Sequence, residues 1–281
     1  MQAAAQPDEG VLATIEYVSS ASSSSLRYVG DGQEVNTAVF EPHQVLVHDA
    51  RRESAPLTLE TGGFELARHD SAVEFYDDAQ AEAAYAAEIE PLLLKLTGAD
   101  RAVLFGGRRR HRTRSRGEVL PAASDVHVDY AAEDSQRLAQ ALLGEEGRGG
   151  IPYRRYMAVN LWRALTPPPQ DRPLAICDAR SVASQSGVPN ALVQVTVMPP
   201  REEMLSEPPE GARNGFLFHF DPAHRWYYYP NMTSDEVLLF KLYDSLETGP
   251  WRCPHVSFAD PTLSGAPPRE SYEIRSFVYF E

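Results

Sequence analysis

From Asp125 to the C-terminus, short runs of β-branched and aromatic residues alternate with proline- and glycine-rich breaks, and this texture leaves few folds open. Runs at 126–130, 156–165, 174–178, 192–198, 215–220, 226–229, 256–258 and 271–280 each have the length and residue types of a strand. Pro167-Pro168-Pro169 ends the longest early run. Many short strands separated by such turns predict a β-sandwich or barrel. Upstream, 11–18, 35–40, 44–49 and 64–67 also read as strands, with a serine-rich loop at 19–25 and a loose tail at 1–10.

Helices are few. The clearest spans 79–96, where Ala81, Ala84, Tyr85, Ile89, Leu92, Leu93 and Leu96 recur at helical spacing. Asp77 and Asp78 stand where an N-cap is wanted and Gly98 where a C-cap is wanted, while Pro91 predicts a kink or a split. A shorter helix is expected over 135–143. The segment 233–243 opens with a cap-like Thr233-Ser234-Asp235-Glu236 and is open between helix and strand. The sum is a mainly β chain with flanking helices, an α+β fold.

The 281 residues suffice for one large domain, and the 43% hydrophobic content supports a sizeable core. A net charge of −14 argues against a nucleic-acid partner, because phosphate neutralisation needs clustered cations. Cys177 and Cys253 are the two cysteines, which predicts neither a disulfide framework nor a thiolate zinc site. No basic-then-apolar leader opens the chain and no run approaches a membrane span, so a cytoplasmic setting without membrane contact is expected. One segment runs against the acidity. Residues 108–116 hold six arginines, read as a solvated, mobile loop able to close over an anionic substrate.

His127-Val128-Asp129 carries the chemistry. A strand repeats every two residues, so His127 and Asp129 project from one face and Val128 from the other. With His255, following Pro254, they make two imidazoles and one carboxylate, the ligand set of a non-haem Fe(II) facial triad with positions left open. The pattern alone is weak: His219-Phe220-Asp221 matches it too. The strand after His255 adds weight, because Arg269, Ser271 and Arg275 share a face. An oxygenase using 2-oxoglutarate must hold that diacid's far carboxylate, and an arginine fork with a nearby hydroxyl suits the task. On 156–163, Tyr156, Asn160 and Trp162 share a face. Asn160 is placed toward the cosubstrate, and Tyr156 and Trp162 toward the substrate. Arg225 and Tyr227 share a face as well and are candidates for substrate contact or for bracing the sheet.

Seven segments together resemble the CmcJ/AsaB-like family of secondary metabolism. They are His127-Val128-Asp129-Tyr130, Asn160-Leu161-Trp162-Arg163, the run from Pro173 to Val182, the run from His224 to Pro230, Lys241-Leu242-Tyr243-Asp244-Ser245, Pro254-His255 and Pro267-Pro268-Arg269-Glu270-Ser271. The similarity extends from about Phe75 to the C-terminus. It implies an Fe(II)/2-oxoglutarate-dependent oxygenase with a double-stranded β-helix core, of jelly-roll or cupin-like form. It also implies His127, Asp129 and His255 as metal ligands and dioxygen as the second cosubstrate. Val128 departs from the family's usual His-Asn-Asp-Tyr, and the arginine-rich insert is a further departure. On this reading 1–281 is a single oxygenase domain, with 1–118 packed on a metal-bearing 119–281. The expected reaction oxidises an unactivated C–H of a small amino-acid-like or natural-product substrate, by hydroxylation, desaturation or oxidative cyclisation such as C–N ring closure. Two alternatives remain at this point: a non-catalytic cupin-like binding protein, and a partner subunit of a biosynthetic enzyme. A methyltransferase lacks support, since there is no Gly-rich nucleotide loop.

Overall fold

The computed structural model describes residues 10–30, 33–111, 123–145, 147, 152–205, 207–209, 212–263 and 265–281. The N-terminal part runs through β1 (Gly10–Val18), β2 (Ser25–Gly30), β3 (Gln33–Asn36), β4 (Phe40–Asp49), β5 (Phe64–Arg68), helix α1 (Asp78–Thr97) and β6 (Arg101–His111). Then follow β7 (His127–Val128), helix α2 (Ala132–Glu145), β8 (Arg155–Ala164), β9 (Leu174–Cys177), β10 (Val188–Gln194) and β11 (Arg213–Leu217). The chain ends with β12 (Trp226–Tyr228), β13 (Glu236–Asp244), β14 (His255–Ser257) and β15 (Glu270–Phe280).

These strands form two sheets. The larger has the order β1-β4-β12-β9-β14-β7-β11-β10-β2-β3 and the smaller β5-β13-β8-β15-β6. Strand periodicity explains how they stack. On β8, Tyr156, Ala158, Trp162 and Ala164 enter the core between the sheets, while Met157, Val159 and Leu161 turn outward beneath α1. From the smaller sheet Phe64, Phe240 and Phe277 join that inner core, and Ile176 and Tyr227 meet them from the larger one. Helix α1 covers the other face of the smaller sheet through Tyr85, Ile89 and Leu93, all fully buried. Burying each such side chain contributes about 1.5–3 kcal/mol, so one charge at Leu93 would lift the helix off.

The cap signals of α1 hold. The Asp77 carboxylate accepts the Gln80 N–H at 3.3 Å, and Gly98 takes a left-handed φ of 67°. Pro91 does not split the helix: it lies on the exposed side, where solvent is available to the carbonyl its missing N–H leaves free.

One open reading is settled and two expectations change. The segment 233–243 becomes strand β13, buried along its whole length, and its cap-like residues form the turn before it. There Glu236 accepts the Thr233 N–H at 3.1 Å and grips Arg51 at 2.7 Å. The serine-rich segment leads directly into β2, which the sequence reading missed. Arg108 to His111 continue β6 rather than forming a loop, because β15 supplies a pairing edge and Glu273 a counter-charge for Arg110. Residues 112–116 of the same insert, and the tail 1–9, lie outside the described residues.

Candidate metal centre

Strands β7 and β14 are neighbours in the larger sheet, and their register sets His127 directly opposite His255. The two rings lie 4.4 Å apart between centroids. Strand β7 ends at Val128, and Asp129 occupies the bend that follows it. Even so, one donor atom each from His127, Asp129 and His255 falls within 4.8 Å of the others, the one such group among the described residues. Close packing behind β7 depends on Gly215 of β11, where any Cβ would stand 2.4 Å from the Val128 carbonyl oxygen.

The imidazoles are oriented by backbone. His127 Nδ1 is 2.8 Å from the Asp125 carbonyl oxygen and His255 Nδ1 is 3.2 Å from that of Cys253. A carbonyl only accepts, so each Nδ1 carries the proton and each Nε2 presents a lone pair. His127 Nε2 stands 3.8 Å from Asp129 Oδ1 accordingly. Burial, with the neighbouring His127, pushes His255 down to about 3 and keeps it neutral. For Asp129 burial acts upward, but Arg275 and the two imidazoles together outweigh it and hold the carboxylate well below its usual range. Two imidazoles and one ionised carboxylate are a donor set that fits Fe(II).

Around this group run two clefts that meet at it. Both are bordered by Arg27, His127, Asp129 and Arg275. The first continues along Trp162, Phe240, Ser257, Arg269 and Glu273. Arg269 is buried there, donating to the Arg172 carbonyl at 2.6 Å, with its guanidinium 5.2 Å over the Trp162 ring. Burial lowers its pKa to about 10, so it stays charged at neutral pH. Ser271 Oγ and Asn160 Oδ1 are buried without a hydrogen-bond partner among the described residues. Both lie on the inward face of their strands, Asn160 opposite Arg275 and Ser271 opposite Ala164, but neither borders either cleft among the described residues.

Arg275 has a different position from the one expected of a cosubstrate ligand. Its Nε donates to Asp129 Oδ2 at 2.8 Å, so it holds a member of the triad. Tyr156 also departs from expectation, and Arg225 and Tyr227 take the bracing alternative, since none of the three borders either cleft among the described residues. Tyr156 stacks 6.1 Å from Phe277 in the inter-sheet core. The Tyr227 hydroxyl donates to Glu53 at 2.8 Å, and Arg225 lies 5.7 Å over the Tyr227 ring, which braces the sheet. His219 of the second His-x-Asp match bonds the Val18 carbonyl at 3.0 Å and joins no ligand group.

Glu273 was missed. Burial disfavours its charge, but Arg110 at 2.8 Å and Arg275 at 3.7 Å outweigh that and lower it to about 2. Its signal was available, since it shares strand parity with Arg269 and Arg275. Arg27 gave no such signal, being a hundred residues upstream of the triad on the unforeseen β2.

A family model described as an oxidoreductase/YMDC permease-like domain matches residues 15–279. Among curated proteins, the Fe(II)/2-oxoglutarate-dependent dioxygenase nvfI of Aspergillus novofumigatus is 31% identical over 255 residues, 88% of this chain and 87% of the relative. The chain belongs to the CmcJ/AsaB-like family of Fe(II)/2-oxoglutarate-dependent oxygenases. The hydroxylase/desaturase asaB of Aspergillus flavus matches at 37% identity over 134 residues, 45% of this chain and 56% of that one. The solved iron and alpha-ketoglutarate-dependent endoperoxidase NvfI superposes with a TM-score of 0.78 at 28% identity, covering 95% of this chain and 97% of its own. As a member of the CmcJ/AsaB-like family, the chain is a non-haem iron dioxygenase that uses Fe(II), 2-oxoglutarate and dioxygen to oxidise an unactivated C–H of a small molecule. The non-catalytic alternatives are not favoured. Among the described residues no helix is long and apolar enough to cross a membrane.

Proposed function

We propose that His127, Asp129 and His255 hold the iron and that the first cleft takes 2-oxoglutarate, with Arg269 and Ser271 receiving its far carboxylate. The observation that carries this is the convergence of the three donors, each imidazole already fixed through Nδ1, in a cleft that a buried arginine just before β15 also borders. The two facing sheets are read as a double-stranded β-helix, and 1–281 as a single oxygenase domain in which 1–118 packs on 119–281. The setting is cytoplasmic, with a small molecule rather than nucleic acid or membrane as partner.

Each side chain has a definite task in this reading. Arg275 pairs with the Asp129 carboxylate through Oδ2 and balances its charge in the metal-free fold, leaving Oδ1 toward the His127 imidazole. Phe240, 4.7 Å from the His255 ring, keeps water from that imidazole and fixes its plane. Trp162 lies under the Arg269 guanidinium and holds the fork in place for a carboxylate. Asn160, opposite Arg275 across β8 and β15 and with its Oδ1 unpartnered among the described residues, is kept as a candidate for the cosubstrate although it borders neither cleft there. Bound Fe(II), with 2-oxoglutarate and dioxygen, supplies the oxidising power to remove hydrogen from an unactivated C–H, releasing succinate and carbon dioxide. The second cleft is the roomier of the two, about 150 Å³ against about 40 Å³, and is assigned to a natural-product or amino-acid-like substrate. Hydroxylation, desaturation and ring closure then differ by small shifts of the substrate within it.

Succinate formation with Fe(II), ascorbate and 2-oxoglutarate tests the assignment. His127→Ala and His255→Ala should each lose bound iron and at least about a thousandfold in succinate rate while keeping the circular dichroism of the parent. Retention of iron by either variant would remove that residue from the ligand set.

A further inference from the structure

The second cleft has an electrical character that the chain as a whole lacks. Three guanidinium groups, Arg27, Arg108 and Arg275, border it against a single carboxylate, Asp129, which Arg275 already pairs. The surrounding chain carries a net charge of −14. Arg27 is ion-paired with Glu34, whose carboxylate lies 3.3 Å from Nε without a hydrogen bond from that atom. The Arg108 side chain forms no hydrogen bond or ion pair among the described residues, although it is half-buried and borders the cleft. Burial, then Arg275 and Arg110, lower its pKa by more than Glu273 and Asp129 raise it. The rest of the wall is apolar at Val29, Val128 and Leu192, with side-chain amides at Asn190 and Gln194. The Asn190 Oδ1 is buried and unpartnered.

We infer that the substrate is a small carboxylic acid with an apolar body, and that Arg108, assisted by Arg27, grips its carboxylate and so determines specificity. The inference rests on the oxygenase reading above and adds the substrate's chemical class to it. A planar carboxylate would give the Arg108 guanidinium the contacting anion it lacks among the described residues, while the apolar wall takes the hydrocarbon. The far carboxylate of 2-oxoglutarate and the carboxylate of the substrate are then held by different arginines in different clefts, Arg269 and Arg108. The second anchor comes from the arginine-rich insert, whose first residues β15 draws into β6.

The test uses a matched pair of probes, 4-phenylbutyric acid and 4-phenylbutyramide. Each is titrated calorimetrically, without dioxygen, into full-length protein loaded with Mn(II) and saturated with 2-oxoglutarate. The acid should bind about tenfold or more tighter than the amide, as a charge-assisted contact gives. Arg108→Gln should abolish that preference, Arg108→Lys should restore part of it, and Arg27→Gln should reduce it. Arg108→Gln should leave the 2-oxoglutarate affinity within about twofold, whereas Arg269→Gln lowers it by about tenfold or more. Equal binding of acid and amide, no binding of the acid at millimolar concentration, or a 2-oxoglutarate defect in Arg108→Gln each overturns the inference. Should Arg108→Gln fail to fold, Arg108→Lys and Arg27→Gln give the same reading. Failure of wild-type protein to form succinate would sink the oxygenase assignment and leave the acid–amide difference standing. Loss of that difference with succinate formation intact sinks this proposal alone.

Discussion

Replacing Arg275 with methionine separates what the ion pair does for the fold from what it does for the metal centre. The side chains of Arg275 and Asp129 are 12% and 11% exposed, and their contact is 2.8 Å. At an effective dielectric of about 20, that separation corresponds to about 6 kcal/mol of attraction. Methionine also spares the fold the desolvation of a guanidinium, so the net loss falls to about 3–5 kcal/mol, the range for leaving a buried charge alone. Added Mn(II) gives Asp129 a positive partner again and no longer meets Arg275 as a like charge. The variant should therefore bind Mn(II) at least about tenfold more tightly than the parent, and its stability deficit should shrink by about 1.4 kcal/mol or more. Urea unfolding followed by tryptophan fluorescence, in EDTA and in saturating Mn(II), measures both quantities. An equal deficit with and without metal, or a metal-free deficit under about 1 kcal/mol, would refute the claim that Arg275 acts by balancing the Asp129 charge.

Arg269→Gln should raise the KM for 2-oxoglutarate by about 10- to 100-fold, while Arg225→Ala leaves that KM unchanged, as steady-state succinate assays will show. Stability of the metal-free protein should fall with acidity in a defined window. The unfolded chain protonates a histidine near about 6.5, whereas His255 in the fold stays neutral down to about 3, so its contribution is full above the first value and lost toward the second. Thermal melts in EDTA from pH 8 to 4 check this, and His255→Asn should shallow the slope; an unchanged slope counts against a buried neutral imidazole. Gly215→Ala should cost about 1–3 kcal/mol and weaken Mn(II) binding, because its methyl group collides with the Val128 carbonyl behind the triad. Calorimetric Mn(II) titration at parental affinity would show that the close approach of β11 is not needed to place His127.

Much of this protein is written in local pattern. Period-two spacing sorted Asn160 and Trp162 from Val159 and Leu161, and it set Arg269, Ser271 and Arg275 on one face. The caps of α1 were legible because Asp77 and Gly98 act within one turn of their own backbone. Where local pattern and tertiary context disagreed, context prevailed. The Thr233–Glu236 cap signal gave way to a strand because β5 and β8 flank it and bury both of its faces. The charge-rich start of the insert became strand because β15 supplied an edge and Glu273 an ion partner.

The sequence by itself determined the residue types at the centre, the parity that aims them and the β-rich class, since these depend on side-chain chemistry and on neighbours two to four residues away. Only the tertiary structure decided which groups meet. The pairing of Asp129 with Arg275 rather than with free solvent, the seating of Arg27 beside a triad a hundred residues downstream, and the withdrawal of Tyr156, Arg225 and Tyr227 from the clefts follow from strand order. Strand order is settled by how two sheets bury their apolar faces together, a property of the whole chain that no short window contains.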